Sequence, residues 1–272
     1  MIEQSMLHNN KNIEPLLFDE SIDQDISFPQ EFLPILKENG PLLYNQSKKV
    51  LSLISKYKEI MMMYNCALKE IRTRFEILDA EFSIQNRRNP IKSISTRLKS
   101  SSSIIDKMQR KNIPLSVNNI TENIDDIAGI RVICSYIDDI YMLSQALVNQ
   151  SDISPMSLKD YIVKPKANGY RSLHMIVKIP IHFENSIKNV KVEVQIRTIA
   201  MDFWATLEHD LIYKNQLTED AEIASEVKEC ADIITSADAK MLEIRKRVEE
   251  NISESEDDDD LLAYMRKIDL SI

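Results

Sequence analysis

The chain has 272 residues and a formal charge of −9, with 43% hydrophobic and 28% charged residues. That length fits one large domain or two small ones with ample chain to bury a core, and the composition is ordinary for a soluble protein. No apolar run reaches about 18 residues and no basic-then-apolar leader opens the sequence, so neither a membrane span nor secretion is expected.

Three scattered cysteines, Cys66, Cys134 and Cys230, form neither a metal spacing nor a disulfide framework, which points to a reducing cytosol. The charge is uneven along the chain. Residues 1–39 carry 8 acids against 2 bases, and residues 218–262 carry 16 against 5. Residues 46–113 reverse this, with 15 bases against 6 acids. An acidic protein with one basic section is a poor general coat for nucleic acid; it aims its bases at a compact polyanion such as a nucleotide, or simply solvates a basic helix face.

Residues 1–43 read as an acidic, proline-containing extension that ends near the turn signal Asn39-Gly40-Pro41. From Tyr44 to Phe82 the pattern is helical: Val50, Leu51, Ile54, Tyr57, Met61, Tyr64, Leu68, Ile71 and Phe75 recur every three or four residues. Lys69, Arg72 and Glu76 share the opposite side. Asn89-Pro90 is expected to start a second helix, running to about Arg110 and stopped by Pro114. Within it Lys99, Ser103 and Lys107, four apart, would lie along one face.

Gly129, one of three glycines in the chain, leads the strand-like Ile130-Arg-Val-Ile-Cys134, and Asp125 and Asp126 precede it. Carboxylates at the mouth of a strand that carries Arg131 suit a metal–phosphate site; helix capping by an aspartate is the alternative. Asp138 to Gln150 reads as an amphipathic helix.

The stretch Lys164-Pro-Lys-Ala-Asn-Gly-Tyr-Arg-Ser-Leu-His174 then concentrates a second glycine, an aromatic ring, a histidine and several cations. It suits a loop whose Gly169 lets a phosphorylated ring compound approach the backbone, with a basic surface loop as the plain alternative. Leu173 to Ile181 reads as a strand. Val190 to Arg197 alternates cleanly: Val190, Val192, Val194 and Ile196 face one way, Lys191, Glu193, Gln195 and Arg197 the other. Thr198 to Tyr213 looks helical, with Phe203, Trp204, Leu207 and Leu211 expected on its buried side. Glu208-His209, without a further ligand one turn on, is expected to be structural. Ile223, Val227, Cys230, Ile234, Ala237, Met241, Ile244 and Val248 form a heptad-like series for a long last helix, and residues 253–272 an acidic tail. No P-loop, dinucleotide-binding or zinc signature occurs.

Three segments carry a resemblance. Asp126-Ile-Ala-Gly-Ile-Arg131, Asn168-Gly-Tyr-Arg-Ser-Leu-His174 and Val192-Glu-Val-Gln-Ile-Arg-Thr198, followed by Ala200-Met-Asp-Phe-Trp-Ala205, resemble in order and spacing the RelA/SpoT-type alarmone synthetase domain. The likeness runs from about residue 45 to 250, so the synthetase domain is expected at 44–252. Without a histidine–aspartate hydrolase domain or regulatory modules, the chain looks like a stand-alone small alarmone synthetase.

The resemblance implies an α+β fold: a central mixed sheet of about five strands flanked by helices, nucleotidyltransferase-like, with a long C-terminal helix. It implies transfer of the β,γ-pyrophosphate of ATP to the 3′-hydroxyl of GDP or GTP. Matching positions would give Arg97 and Arg131 the adenine, and Lys99, Lys107, Arg72 and Arg110 the ATP phosphates. Asp126 and Glu193 would bind Mg²⁺, with Glu193 also accepting the proton of the attacking hydroxyl. Tyr170 would stack on guanine, Lys166, Arg171 and His174 would hold the acceptor's 5′ phosphates, and Asn168 and Gln195 would complete that pocket. The family further implies a homotetramer, with an RNA or an alarmone as conceivable regulators. Two other readings remain open on sequence: a toxin relative that pyrophosphorylates the 3′ end of tRNA, and a catalytically silent nucleotide- or RNA-binding regulator.

Overall fold

The computed structural model describes residues 40–85, 88–213 and 221–255. The extension over residues 1–39 and the acidic tail beyond residue 255 lie outside them. Contacts divide the chain into two units, Met1–Ile54 and Ser55–Ile272, and the sheet belongs to the second.

The elements follow in the order α1 (Gly40–Gln85), β1 (Ile91–Leu98), α2 (Ser101–Arg110), α3 (Val117–Asn123), β2 (Ala128–Cys134), α4 (Ile137–Val148), β3 (Ser154–Asp160), β4 (Leu173–Phe183), β5 (Ser186–Thr198), α5 (Ile199–Glu208) and α6 (Ala221–Ser255), with a π-helical turn at His209–Tyr213. The five strands form one mixed sheet in the order β1-β2-β5-β4-β3. β5 runs parallel to β2 and antiparallel to β4, while β1 and β3 close the two edges in antiparallel pairing. The α+β architecture expected from the sequence is the one observed.

The core sits on one face of this sheet. Alternate residues of β4 (Leu173, Met175, Val177, Ile179, Ile181) and β5 (Val190, Val192, Val194, Ile196) are buried, together with Ala128, Ile130 and Val132 of β2. They join one apolar cluster with Tyr64, Leu68, Ile71 and Phe75 of α1, Ile104 and Met108 of α2, and Ile140, Leu143 and Leu147 of α4. Each fully buried Val, Leu, Ile, Met or Phe among them contributes about 1.5–3 kcal/mol. A one-residue slip would turn all of them to the opposite face, so the register is strongly held.

Charged contacts fix the helices around this core. Arg88 places two nitrogens on buried Asp139 at 2.6 and 2.9 Å, and Asp139 also accepts from the backbone N–H of Tyr136 at the start of α4. Arg245 of α6 meets the neighbouring Asp138, and both guanidiniums lie over the Tyr136 ring. α6 is thereby tied to α4.

Two expectations are corrected. The segment after Asn89-Pro90 begins as a strand, not a helix: Ile91, Ile94 and Thr96 favour the pleat, and β1 pairs with β2 from Ile91 to Leu98. The helix starts only at Ser101, where the Ser100 side chain accepts from the Ser103 N–H as N-cap. On α5 the buried side is Met201, Trp204 and Ala205; Phe203, Leu207 and Leu211 are exposed. β3 answers to no sequence signal, because it is an exposed edge strand with Pro155 in it and no apolar alternation.

Candidate functional site

Residues directly opposite one another on paired strands share a face of the sheet. Arg97 of β1 is opposite Gly129 of β2, and Gly129 is opposite Glu193 of β5. Two residues along, Arg131 is opposite Gln195, and Gln195 is opposite His174 of β4. The face away from the core therefore carries Arg97, Arg131, Glu193, Gln195, Arg197 and His174 as one connected surface. The clean alternation of β5 is what puts it there.

At one end of this surface stands Asp126, just before β2. The Lys99 backbone N–H donates to the Ile127 carbonyl at 2.8 Å, holding the end of β1 against this corner. The Lys99 and Lys107 ammonium groups lie 3.1 and 2.8 Å from the two Asp126 oxygens. Burial pushes this carboxyl up, but the contacts to Lys107 and Lys99 outweigh it and hold the group below its ordinary range. It is therefore ionised at neutral pH. Asp125 is separated from it, paired to Lys191 at 2.7 Å. Neither aspartate caps a helix: Ser116 caps α3, and a strand follows the pair.

Beside them, Glu193 Oε2 accepts from Gln195 Nε2 at 3.0 Å, and its other oxygen lies 3.9 Å from His174 Nδ1. A Cβ on Gly129 would sit 4.0 Å from Glu193 Oε2 and 3.7 Å from the Arg97 carbonyl oxygen. Glycine thus leaves open the space in front of that carboxylate. Among the described residues no group of three or more His, Cys, Asp or Glu could hold a metal ion.

The loop before β4 supplies the other side. Tyr170 is oriented by its hydroxyl, which accepts from Arg197 Nη2 at 2.5 Å and lies 2.8 Å from His174 Nε2. With its lone pairs turned to a cation, that hydroxyl has its proton free for Nε2, which assigns the imidazole proton to Nδ1, toward Glu193. Lys166 lies between two rings, 4.6 Å from Tyr170 and 5.0 Å from Tyr161. Burial, followed by Arg197, Lys166, Lys159 and Arg131, lowers the pKa of His174 from 6.5 to about 4. It is neutral in the fold.

Asn168 shapes the loop rather than standing open: it donates to Glu208 and accepts from the Tyr170 N–H. Arg171 lines a recess against α6 with Gly169, Trp204, Ala231 and Asp238. Gly169 has φ of +89°, and a Cβ there would lie 2.5 Å from the Ala231 Cβ. The reason for this glycine is thus close packing on α6 and a left-handed turn, not the close approach of a ligand to the backbone.

Arg110 is one turn beyond Lys107 on α2, with its Nε on the Asp106 carbonyl. Arg72 pairs with Glu76 on the exposed side of α1, and among the described residues no hydrogen bond or ion pair ties it to the Asp126 corner. The structure adds three residues that sequence reasoning did not assign. Arg197 had been placed on the polar face without a role, Asp202 sits five residues on in α5, and Tyr161 packs edge-on against Tyr170 and His174.

Residues 96–218 match the family described as a region found in RelA / SpoT proteins. GTP pyrophosphokinase YwaC of Bacillus subtilis is 42% identical over 193 residues, covering 71% of this chain and 92% of its own length. The crystal structure of small alarmone synthetase 2 from Bacillus subtilis superposes with a TM-score of 0.64 at 43% identity, covering 70% of this chain and 98% of its own. Small alarmone synthetase 1 from the same organism, bound to its product pppGpp, gives a TM-score of 0.64 at 32% identity, covering 71% of this chain and 97% of its own.

Two outcomes follow from this geometry. Gly169→Ala is expected to destabilise the fold by about 2 kcal/mol or more, from left-handed backbone strain plus the clash with Ala231. Adding Ala231→Gly should recover only the clash part, as read by urea unfolding of the single and double variants. For His174, the unfolded chain binds a proton near pH 6.5 and the fold only near pH 4. Nothing is lost above pH 6.5; below it, stability falls until about pH 4. Between pH 7 and pH 5 the protein should therefore lose about 2 kcal/mol more than His174→Gln.

Proposed function

Because the chain belongs to the RelA/SpoT family and is similar over most of its length to small alarmone synthetases, we propose that it transfers the β,γ-pyrophosphate of ATP to the 3′-hydroxyl of GDP or GTP, making ppGpp or pppGpp. The observation that carries this reading is the lysine-bound Asp126 three residues before Gly129, with Glu193 opposite that glycine on the open face and His174 between Glu193 and the Tyr170 hydroxyl. Pyrophosphoryl transfer needs in-line positioning and cancellation of phosphate charge more than covalent chemistry, and such a surface offers both.

In this reading Arg97 and Arg131 take the adenine, and Lys99 and Lys107 the ATP phosphates, with Arg110 at the helix end; Arg72 would join them only by leaving its pair with Glu76. Lys99 and Lys107 then exchange part of their bond to Asp126 for phosphate oxygens. Tyr170 stacks on guanine, its plane fixed by Arg197 and His174. Lys166 and Arg171 serve the acceptor's 5′ phosphates, and His174 stands beside them, its two nitrogens turned to Glu193 and to the Tyr170 hydroxyl. Asn168 and Gln195 hold the loop and the general base. Glu193 takes the proton of the attacking 3′-hydroxyl.

Mg²⁺ fits these residues. Asp126 is kept ionised, Glu193 lies opposite Gly129 three residues further on, and both supply the hard oxygen donors the ion prefers; one or two carboxylates with substrate phosphates is its usual set. When bound, it would neutralise charge on the transferred pyrophosphate. We further place the protein in the cytosol as a homotetramer. Supporting this, Cys66, Cys134 and Cys230 are free, and Met241, Ile244 and Val248 of α6 leave an exposed apolar edge. No helix among the described residues is long and apolar enough to cross a membrane.

Labelled ATP with Mg²⁺ and either GDP or GTP should yield a guanosine tetra- or pentaphosphate. No product with either acceptor, or preferential transfer of label to the 3′ end of tRNA, would overturn the assignment. Glu193→Gln should lower kcat by about 10²-fold or more, with nucleotide affinity within a few-fold. Tyr170→Ala should raise the acceptor KM by about tenfold and leave the ATP KM unmoved, as lost stacking on one base predicts.

A further inference from the structure

Asp202 has no part in the roles above, and Arg197 enters them only as a support of the Tyr170 ring. Arg197 is 5% exposed, one of the few charged residues so deeply buried among those described. A guanidinium at that depth must be paired to persist. Its Nη1 donates to Asp202 Oδ1 at 3.1 Å, while Nη2 donates to the Tyr170 hydroxyl at 2.5 Å and to Gln195 Oε1 at 3.3 Å.

The same Asp202 oxygen accepts from Arg131 Nη1 at 3.3 Å. Two guanidiniums are thus drawn to one oxygen atom. Burial and the nearby charge of Arg197 lower the pKa of Arg131, while Asp202 raises it. Without the carboxylate the two cations would repel one another, and Arg131 would lose its partner. From Asp202 one branch leads to Arg131, on the donor side. The other passes through Arg197 to Tyr170, and through Gln195 to Glu193.

We propose that Asp202 is a positioning residue for both nucleotides at once: it holds Arg131 for the donor base and, through Arg197, the Tyr170 ring for the acceptor base. This rests on the synthetase reading and adds to it a single carboxylate shared by two binding sites. A residue with that task has a kinetic signature different from either site's own residues. Loss of a charge-assisted hydrogen bond to each side corresponds to about a tenfold change in each affinity.

The test is steady-state kinetics on Asp202→Asn, Asp202→Glu and Arg197→Met, beside Arg97→Ala and Tyr170→Ala. Asp202→Asn should raise the KM of ATP and of the guanine nucleotide together, each about tenfold, with kcat at saturation within about threefold. Asp202→Glu should restore most of both. Arg197→Met should raise only the acceptor KM, because Asp202 still holds Arg131. Arg97→Ala should move the ATP KM alone.

A single KM moved by Asp202→Asn, neither moved, or a fall in kcat only would overturn the proposal. If that variant does not fold, Arg197→Met decides: an ATP KM raised as much as the acceptor KM, or an unmoved acceptor KM, overturns it. An unaltered protein that makes no product would instead refute the synthetase reading. Product from the unaltered protein with unmoved constants in the variants refutes the positioning role alone.

Discussion

The pleat of β5 is the constraint on which the rest depends. β5 is the middle strand of five, hydrogen-bonded on one side to β2 and on the other to β4. Its valines and Ile196 are buried, which leaves no freedom to slip by one residue. Glu193, Gln195 and Arg197 are therefore fixed on the opposite face by the same burial that stabilises the fold. The parallel partner β2 brings Gly129 and Arg131 to them, and the antiparallel partner β4 brings His174. These groups come from different parts of the chain, and the register alone makes them neighbours.

What gathers on that face is charge, and the structure handles it by pairing. Asp126 has two lysines, Arg197 and Arg131 share Asp202, and Glu193 takes a hydrogen bond from an amide. His174, surrounded by cations, gives up its own charge instead. A nucleotide polyphosphate bound here would meet cations already held in place by carboxylates, so little reorganisation is needed when negative charge develops. The excess of bases in residues 46–113 contributes Lys99 and Lys107 to this corner, whereas Arg74 and Arg88 of the same section serve the fold by pairing with Asp152 and Asp139. Local net charge marked the region without separating the two uses.

The sequence was most legible where periodicity and chemistry coincided. The alternation of β5 and the heptad spacing of α6 each predicted an element, and the glycine-led run after Asp126 predicted β2. It misled where local residues serve a distant partner. β1 was read as helix because a helix does follow, and only pairing with β2 makes Ile91–Leu98 extended. That error also hid the placement of Arg97, which needs a strand to reach the row of Gly129 and Glu193. The buried side of α5 was misassigned because Phe203 and Leu207 are apolar but face outward, while Asp202 on the same helix turns inward to two arginines. Asp202 had no local signal at all: its partners are 5 and 71 residues away in sequence.

The two glycines of the site show how one residue type answers to different physics. At Gly169 the backbone is left-handed and a side chain would strike Ala231, so the glycine is required by the fold. It lets the loop lie on α6, where Trp204 Nε1 donates to the Val227 carbonyl and buried Asp238 accepts from Thr198 at the end of β5. At Gly129 the nearest atoms are at ordinary contact distance and no positive φ is involved. A methyl group would fit without strain, but in the space between the Arg97 carbonyl and the Glu193 carboxylate. The first glycine holds the loop before β4 against α6; the second keeps clear the space in front of the Glu193 carboxylate.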